Sequence, residues 1–287
     1  HLAGSMLPDS AWEMAEERGV KMPADNPEDF KKFIVVTADC RDVNEYLEKF
    51  ELPLQIMQDR EAIIRTAREL VIMLAEQGLV YAEIRFAPQL HTRKGMTQAE
   101  AIEAVIEGVN EGMKQAKTID IGIICCTMSI GLETVNKEEN LETVRATKQY
   151  LGKGVVALDL AGAEGIVPLK NFGYIFDLAR ELELPITVHA GDSDGPQTAW
   201  DALEFGTKRI GHGHRVYDDK ELIKKCIEDN VTLEICPTSN IQCQSQPSYA
   251  EHPAKKLLDM GVRVTINTDN MVLSDIDLDK EYDHCLN

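Results

Sequence analysis

No apolar stretch in this chain approaches the ~20 consecutive residues that a membrane-spanning helix requires, and no signal-peptide pattern is present. Basic residues are also short: 30 lysines and arginines face 49 acids, for a formal charge of -19. Such a surface repels phosphate backbones and anionic membranes, which argues against nucleic-acid and membrane partners. The seven cysteines include no CxxC pair and are odd in number, so they are expected to be reduced thiols in a cytoplasmic protein. Neither GxGxxG nor GxxxxGKT occurs, which removes the familiar phosphate cradles. Internal linkers and low-complexity segments are missing too, and nothing in the sequence specifies an oligomeric state.

What remains is a 287-residue chain with 44% hydrophobic residues, enough for a full-sized core. That length fits one α/β barrel or two smaller domains. The first section reads as helical, with a long helix over 59–77 in which Ile63, Ile64, Ala67, Leu70, Val71 and Leu74 recur at helical spacing. Apolar runs at 79–87, 119–128, 154–160, 184–190, 209–211, 231–235 and 262–268 predict strands. Helical patterns at 97–116, 137–150, 168–181, 197–205, 218–228 and 253–260 fall between them, and another helix begins at 275–285. Alternation at this spacing means parallel strands with right-handed crossovers. A closed barrel of this type needs eight strands, whereas an open doubly wound sheet could use seven. Polar residues end nearly every run, and an open sheet would gather its site at one switch point, so the barrel is preferred.

Those polar ends carry the chemistry. Val188-His189-Ala190-Gly191-Asp192 closes one run, Ile210-Gly211-His212-Gly213-His214 the next, and Ile266-Asn267-Thr268-Asp269-Asn270 the last. Imidazoles and carboxylates meeting on one barrel rim can hold a divalent metal, and His189 and Asp269 are the candidate ligands. A core histidine and a helix cap are the competing assignments. His212, between two glycines, could orient a water, take its proton, or steady charge developing on oxygen. His214 is assigned to the rim or to structure. Glu83 and Arg85 alternate along one run and are expected to form a buried pair that braces the interior. Asp159 and Glu164 flank a flexible turn at Gly162, and 236–240 (Cys-Pro-Thr-Ser-Asn) reads as a rigid, hydrogen-bonding loop.

Together these pieces resemble the adenosine deaminase family of metal-dependent hydrolases. The matching segments are His1-Leu2-Ala3-Gly4-Ser5, Glu83-Ile84-Arg85-Phe86-Ala87-Pro88, Asp159-Leu160-Ala161-Gly162, His189-Ala190-Gly191, Ile210-Gly211-His212-Gly213, Cys236-Pro237-Thr238-Ser239-Asn240 and Asn267-Thr268-Asp269, in family order over nearly the whole chain. The resemblance implies a (β/α)8 TIM barrel, 1–287 as one domain with an early helical insertion at about 7–56. Its first strand and C-terminal helical region would be cut short. It further implies one zinc per chain on His1, His189 and Asp269, with His212 assisting the attacking water and Asp192 protonating the ring. Gly162 and Asn270 would bind the substrate's ring nitrogens. The implied reaction is hydrolytic deamination of adenosine or a related aminopurine nucleoside by metal-activated water, giving an inosine-type product and ammonia in purine metabolism.

Four positions depart from the family pattern. A second histidine expected just upstream of His1 lies outside the sequence, Asp192 stands where the family has glutamate, Asn270 replaces an aspartate, and Ala3 replaces an aspartate expected to hold the sugar hydroxyl. Losing a methylene draws the Asp192 carboxyl back by over an ångström, a displacement that can cost about a hundredfold in rate. These departures support an alternative function: a catalytically impaired purine- or metal-binding protein derived from such an enzyme.

Overall fold

The computed structural model describes residues 1–37 and 40–286. Four short helices come first, α1 (Pro8–Arg18), α2 (Pro27–Ile34), α3 (Val43–Glu48) and α4 (Glu51–Ile56), and the long α5 (Arg60–Glu76) follows. From there strands and helices alternate: β1 (Tyr81–Phe86), α6 (Gln98–Ala116), β2 (Asp120–Ser129), α7 (Lys137–Tyr150), β3 (Val155–Gly162), α8 (Gly173–Glu181), β4 (Val188–Ala190) and α9 (Pro196–Glu204). The chain continues through β5 (Arg209–His212), α10 (Lys220–Glu228), β6 (Thr232–Ile235), α11 (Pro237–Gln242), α12 (Ala254–Asp259), β7 (Arg263–Ile266) and α13 (Leu278–Leu286). No helix among the described residues is long and apolar enough to cross a membrane.

All strand pairs are parallel, in the orders β1-β2-β3 and β4-β5-β6-β7. A single bridge between Leu158 and Ile186 joins the two sheets, through Leu158 N donating to Pro185 O at 2.9 Å and Thr187 N to Leu158 O at 2.9 Å. Pro185 has no N–H, which explains why pairing at this seam is reduced to a bridge. At the opposite seam, Leu2 N donates to Arg85 O at 2.8 Å, and the His1 backbone nitrogen donates to Asp269 O. Residues 1 and 2 thus contact both β1 and the segment following β7.

Strand centres are apolar because helices cover them; Ile123, Ile124, Cys125 and Cys126 of β2 are all but inaccessible. The adjacent cysteines are therefore core residues. Local signals fix the helix starts: Asp59 caps α5 by accepting from Ala62 N, Thr97 and Glu100 form a reciprocal capping box on α6, and Asp219 caps α10. Two predicted features differ. Residues 237–242 form a short helix rather than a loop, its Pro237 at the first turn where a missing N–H costs nothing. The predicted helix at 168–181 begins as a 3-10 turn at Leu169–Phe172 before α8 proper.

Helices α5 and α6 pack so closely that glycine is required between them. A Cβ on Gly108 would lie 2.4 Å from Ile64 O, and one on Gly112 would lie 2.6 Å from Val71 Cβ. Gly108→Val should therefore destabilise the fold by about 1–3 kcal/mol through overpacking. A lowered urea midpoint would register this; an unchanged midpoint would mean the two helices separate freely.

Candidate active site

The strand ends converge on a cavity of about 470 Å³, a size suited to a small molecule. Its upper wall is apolar, with Leu47, Phe50 and Leu54 from the early helices facing Met128 and Phe172. Its floor is polar, with His1, His189, Asp192, His212, Asp269 and Asn270.

His189 on β4 is the best-anchored of these. Its Nδ1 lies 2.8 Å from Asp159 Oδ2 on the neighbouring β3, and Asp159 is fully buried. Burial would depress the imidazole's proton affinity, but the Asp159 carboxylate outweighs it and raises the His189 pKa. Donation from Nδ1 leaves Nε2 as the outward nitrogen. Arg85 Nη1 donates to the same Asp159 oxygen at 3.1 Å, and its other arm reaches Glu234. Arg209 then bridges Glu234 to Glu83. Glu83 and Arg85 thus brace the interior through cross-strand partners rather than through each other. They sit two residues apart along β1, farther than the carboxylates and guanidiniums that meet across the strands.

Two nitrogens and an oxygen then face one another. His1 Nε2 lies 3.2 Å from His189 Nε2 and 3.6 Å from Asp269 Oδ1. Two ligands of a tetrahedral zinc with 2.0–2.1 Å bonds lie about 3.3 Å apart, so both pairs have a spacing that a single ion could bridge. Among the described residues, no group of three or more His, Cys, Asp and Glu side chains is arranged to hold a metal ion. The donor chemistry and the two pairwise distances fit such an ion; a complete three-ligand cluster is not assembled. Asp269 Oδ2 accepts from Ser239 Oγ at 2.7 Å. Burial would raise the Asp269 pKa, but His212 and the Ser239 hydrogen bond are among the groups that draw it below the ordinary value.

His212 and Asp269 both occupy left-handed backbone, at φ 61° and 55°. Non-glycine residues are held there only where surrounding structure demands it, and such positions cluster at functional sites. The His212 ring lies 5.3 Å from that of His189. Asn240 Nδ2 meets His212 Nδ1 at 3.0 Å and also donates to Asp192 Oδ1 at 2.8 Å, where Ser245 Oγ donates at 2.9 Å. Burial pushes the Asp192 carboxyl up, yet His212 and the Ser245 bond are among the groups that outweigh it, so its pKa is lowered and it is ionised near neutrality. Burial drives His214 down to about 3, which keeps it neutral.

Glu164 is the residue whose task sequence reasoning missed. Its carboxylate accepts from the backbone nitrogens of Gly191, Asp192, Ser193 and Asp194, at 2.7, 2.9, 2.6 and 3.1 Å. The loop presenting Asp192 is therefore wrapped around one side chain from the β3 loop. Its only sequence signal is a carboxylate two residues after Gly162. That glycine has φ 123°, and a Cβ there would lie 2.3 Å from Ser129 O, so no other residue fits.

A family model described as adenosine deaminase matches residues 1–287. An adenosine deaminase from Haemophilus ducreyi is 41% identical over 285 residues, covering 98% of this chain and 82% of the relative. One from Clostridium kluyveri is 38% identical over 287 residues, covering 100% and 81%. Among solved structures, Arabidopsis ADAL complexed with IMP superposes with a TM-score of 0.85 at 26% identity, covering 100% of this chain and 83% of that one. The adenine deaminase from Arthrobacter aurescens has the same fold, with a TM-score of 0.85 at 22% identity and coverage of 100% and 85%.

Because charge-assisted bonds are worth about 1.5–3 kcal/mol each before coupling, removing the acceptor they share should release the loop. Glu164→Ala is expected to expose the amides of residues 191–194 to hydrogen exchange at least tenfold faster, while those of β2 stay protected. Unchanged protection at the loop would show that Glu164 does not hold it.

Proposed function

Since the chain belongs to the adenosine deaminase family, we propose that it removes the exocyclic amine of adenosine or a related aminopurine nucleoside by hydrolysis, releasing ammonia. The observation that carries this reading is the juxtaposition of His1 Nε2 with His189 Nε2 at 3.2 Å and with Asp269 Oδ1 at 3.6 Å, on the floor of the cavity. Relatives that share 41% and 38% identity along almost the whole chain carry the name of that activity.

Residues 1 and 2 would take the place of the eighth strand between β7 and β1, closing a (β/α)8 barrel. Residues 1–287 would form one domain, with the helices of about 7–56 as an insertion over the site. His1, His189 and Asp269 would hold one divalent ion, with zinc favoured by two imidazoles and a carboxylate. Such an ion supplies Lewis acidity, lowering the pKa of a water from 15.7 to about 7.

The chain's own groups divide the remaining work. Asn240 donating to His212 Nδ1 fixes the tautomer with hydrogen on Nε2, so His212 acts as a donor that steadies charge on the attacking oxygen. Asp192 begins as a carboxylate, so it first takes a proton from the attacking water and then passes it to the ring nitrogen beside the reacting carbon. As the carbon–nitrogen bond breaks, the added hydroxyl gives its proton to the departing amine. Ammonia leaves, and the ring keeps a carbonyl and an N–H. Gly162 and Asn270 bind the other ring nitrogens and hold the base against the floor.

The engagement of Asp192 by Asn240 and Ser245 favours one second reading, a purine- or metal-binding protein with impaired catalysis. Zinc content by elemental analysis and ammonia release from adenosine separate the two. One zinc per chain with turnover supports the enzyme; zinc without release from adenosine, deoxyadenosine or adenine supports the binding protein. In the enzyme, Asp192→Ala should lower kcat at least a hundredfold with zinc retained, whereas His189→Ala should lose the zinc. Full turnover by Asp192→Ala would remove its assigned role.

A further inference from the structure

His252 stands just before α12 and is buried. Pro253 follows it and has no N–H, so the first backbone donor of α12 is Ala254 N, one of the helix-start amides that lack an intrahelical partner. His252 Nδ1 accepts from Ala254 N at 3.2 Å. A backbone amide can only donate, so in the neutral ring Nδ1 carries no hydrogen and Nε2 does. Burial drives the His252 pKa down to about 4, which keeps the ring neutral. His214 lies beside it, with ring centroids 5.6 Å apart, but both His214 ring nitrogens are without hydrogen-bond partners among the described residues, so it does not compete for either nitrogen.

His252 Nε2 lies 3.1 Å from Asn240 Oδ1. With its hydrogen on Nε2 the imidazole donates, and the Asn240 amide must turn its oxygen toward His252. The two Nδ2 hydrogens are then left for Asp192 Oδ1 at 2.8 Å and His212 Nδ1 at 3.0 Å. An ionised Asp192 alone would hold the amide this way. A protonated one would not, because a carboxylic acid donates as well as accepts, and Asp192 is protonated midway through the reaction proposed above. His252 keeps the amide in place at that stage. Oδ1, which also accepts from Ser245 Oγ at 2.9 Å, then faces two donors. Oδ2 makes no hydrogen bond among the described residues and is the oxygen free to carry the proton.

We propose that His252 is a positioning residue: it fixes the Asn240 amide throughout the reaction, and thereby seats the transferred proton on Asp192 Oδ2 and keeps the hydrogen of neutral His212 on Nε2. This inference rests on Asp192 and His212 acting as assigned above, whereas the order of the hydrogen bonds does not depend on turnover. The proton comes from the attacking water, rests on Oδ2 and leaves for the ring nitrogen, so His252 neither gains nor loses one. The order starts from a backbone N–H, which cannot reverse, and passes through one imidazole and one amide to two reacting groups.

The test combines long-range proton–nitrogen NMR of the purified full chain, labelled in histidine and held above the histidine titration range, with ammonia release from adenosine. Wild type is expected to show hydrogen on Nε2 of both His252 and His212. His252→Phe keeps a ring of similar size without nitrogens. It should show His212 in mixed tautomers, and kcat should fall about tenfold with KM changed less than about twofold, the effect of one buried acceptor left unpaired. His252→Gln, whose amide nitrogen can reach the place of Nε2, should keep the His212 tautomer and hold kcat within about threefold of wild type. Hydrogen on His252 Nδ1 in wild type overturns the inference whatever the variants do, including where His252→Phe fails to fold. Equal losses in both variants would mark His252 as packing only, and an unchanged His212 tautomer and kcat in His252→Phe would remove it from the site. Either overturns the inference while the functional reading stands. No ammonia from wild type overturns the functional reading and the proton seat with it; the expected tautomers would then still support the amide order, and any other pattern would overturn it.

Discussion

The contact between His189 and Asp159 orders everything around it. A 2.8 Å pair between an imidazole and a fully buried carboxylate would be costly in isolation, because each charge gives up its water. It persists because Arg85 donates to the same carboxylate and continues through Glu234 to Arg209 and Glu83. The ladder runs across β1, β3, β5 and β6, so it tethers the interior of both sheets. At its upper end it leaves His189 Nε2 turned toward His1, with only one ring nitrogen free for further chemistry. A buried charge network of this kind adds little net stability, but it rejects alternative packings in which any member would be stranded.

The site above that ladder is tuned by neutral partners as much as by charge. Asp192 stays ionised although it is buried, because the His212 imidazole, an amide and a hydroxyl surround it. Asn240 serves two masters, touching both Asp192 and His212, so one amide coordinates the carboxylate and the tautomer of its neighbouring ring. Asp192 and Asn270 are therefore each seated in a hydrogen-bond network, the first with Asn240 and Ser245 and the second with Tyr46.

Much of this was legible in the chain itself. Parallel strands buried on both faces read as continuous apolar runs, so the seven strands could be located, and the polar residues ending them marked the floor of the cavity. The helix starts expected at 59, 97 and 218 lie within two residues of the observed ones, which Asp59, Thr97 and Asp219 cap. What escaped detection was non-local. Nothing in Glu83 or Arg85 indicates that their partners lie 74 to 149 residues away on other strands. The helix at 237–242 is only six residues long and polar, too short for a periodicity to show. Tyr46 sits on a helical face like any core aromatic, and only the fold brings its hydroxyl to Asn270. Glu164 looks like an ordinary loop acid until four backbone amides are found around it.

That last arrangement has a bearing on how such a chain can change its length. Four consecutive peptide groups converge on one carboxylate only if their count and curvature are kept, so the turn following β4 tolerates neither an added nor a deleted residue without losing its anchor. Among the described residues no single side chain gathers four amides of the turn following β2, and Ile130, Leu132 and Val135 there stand exposed to solvent. Changes in length, and with them new selectivity at the cavity mouth, therefore fall more readily on the turn after β2 than on the turn after β4.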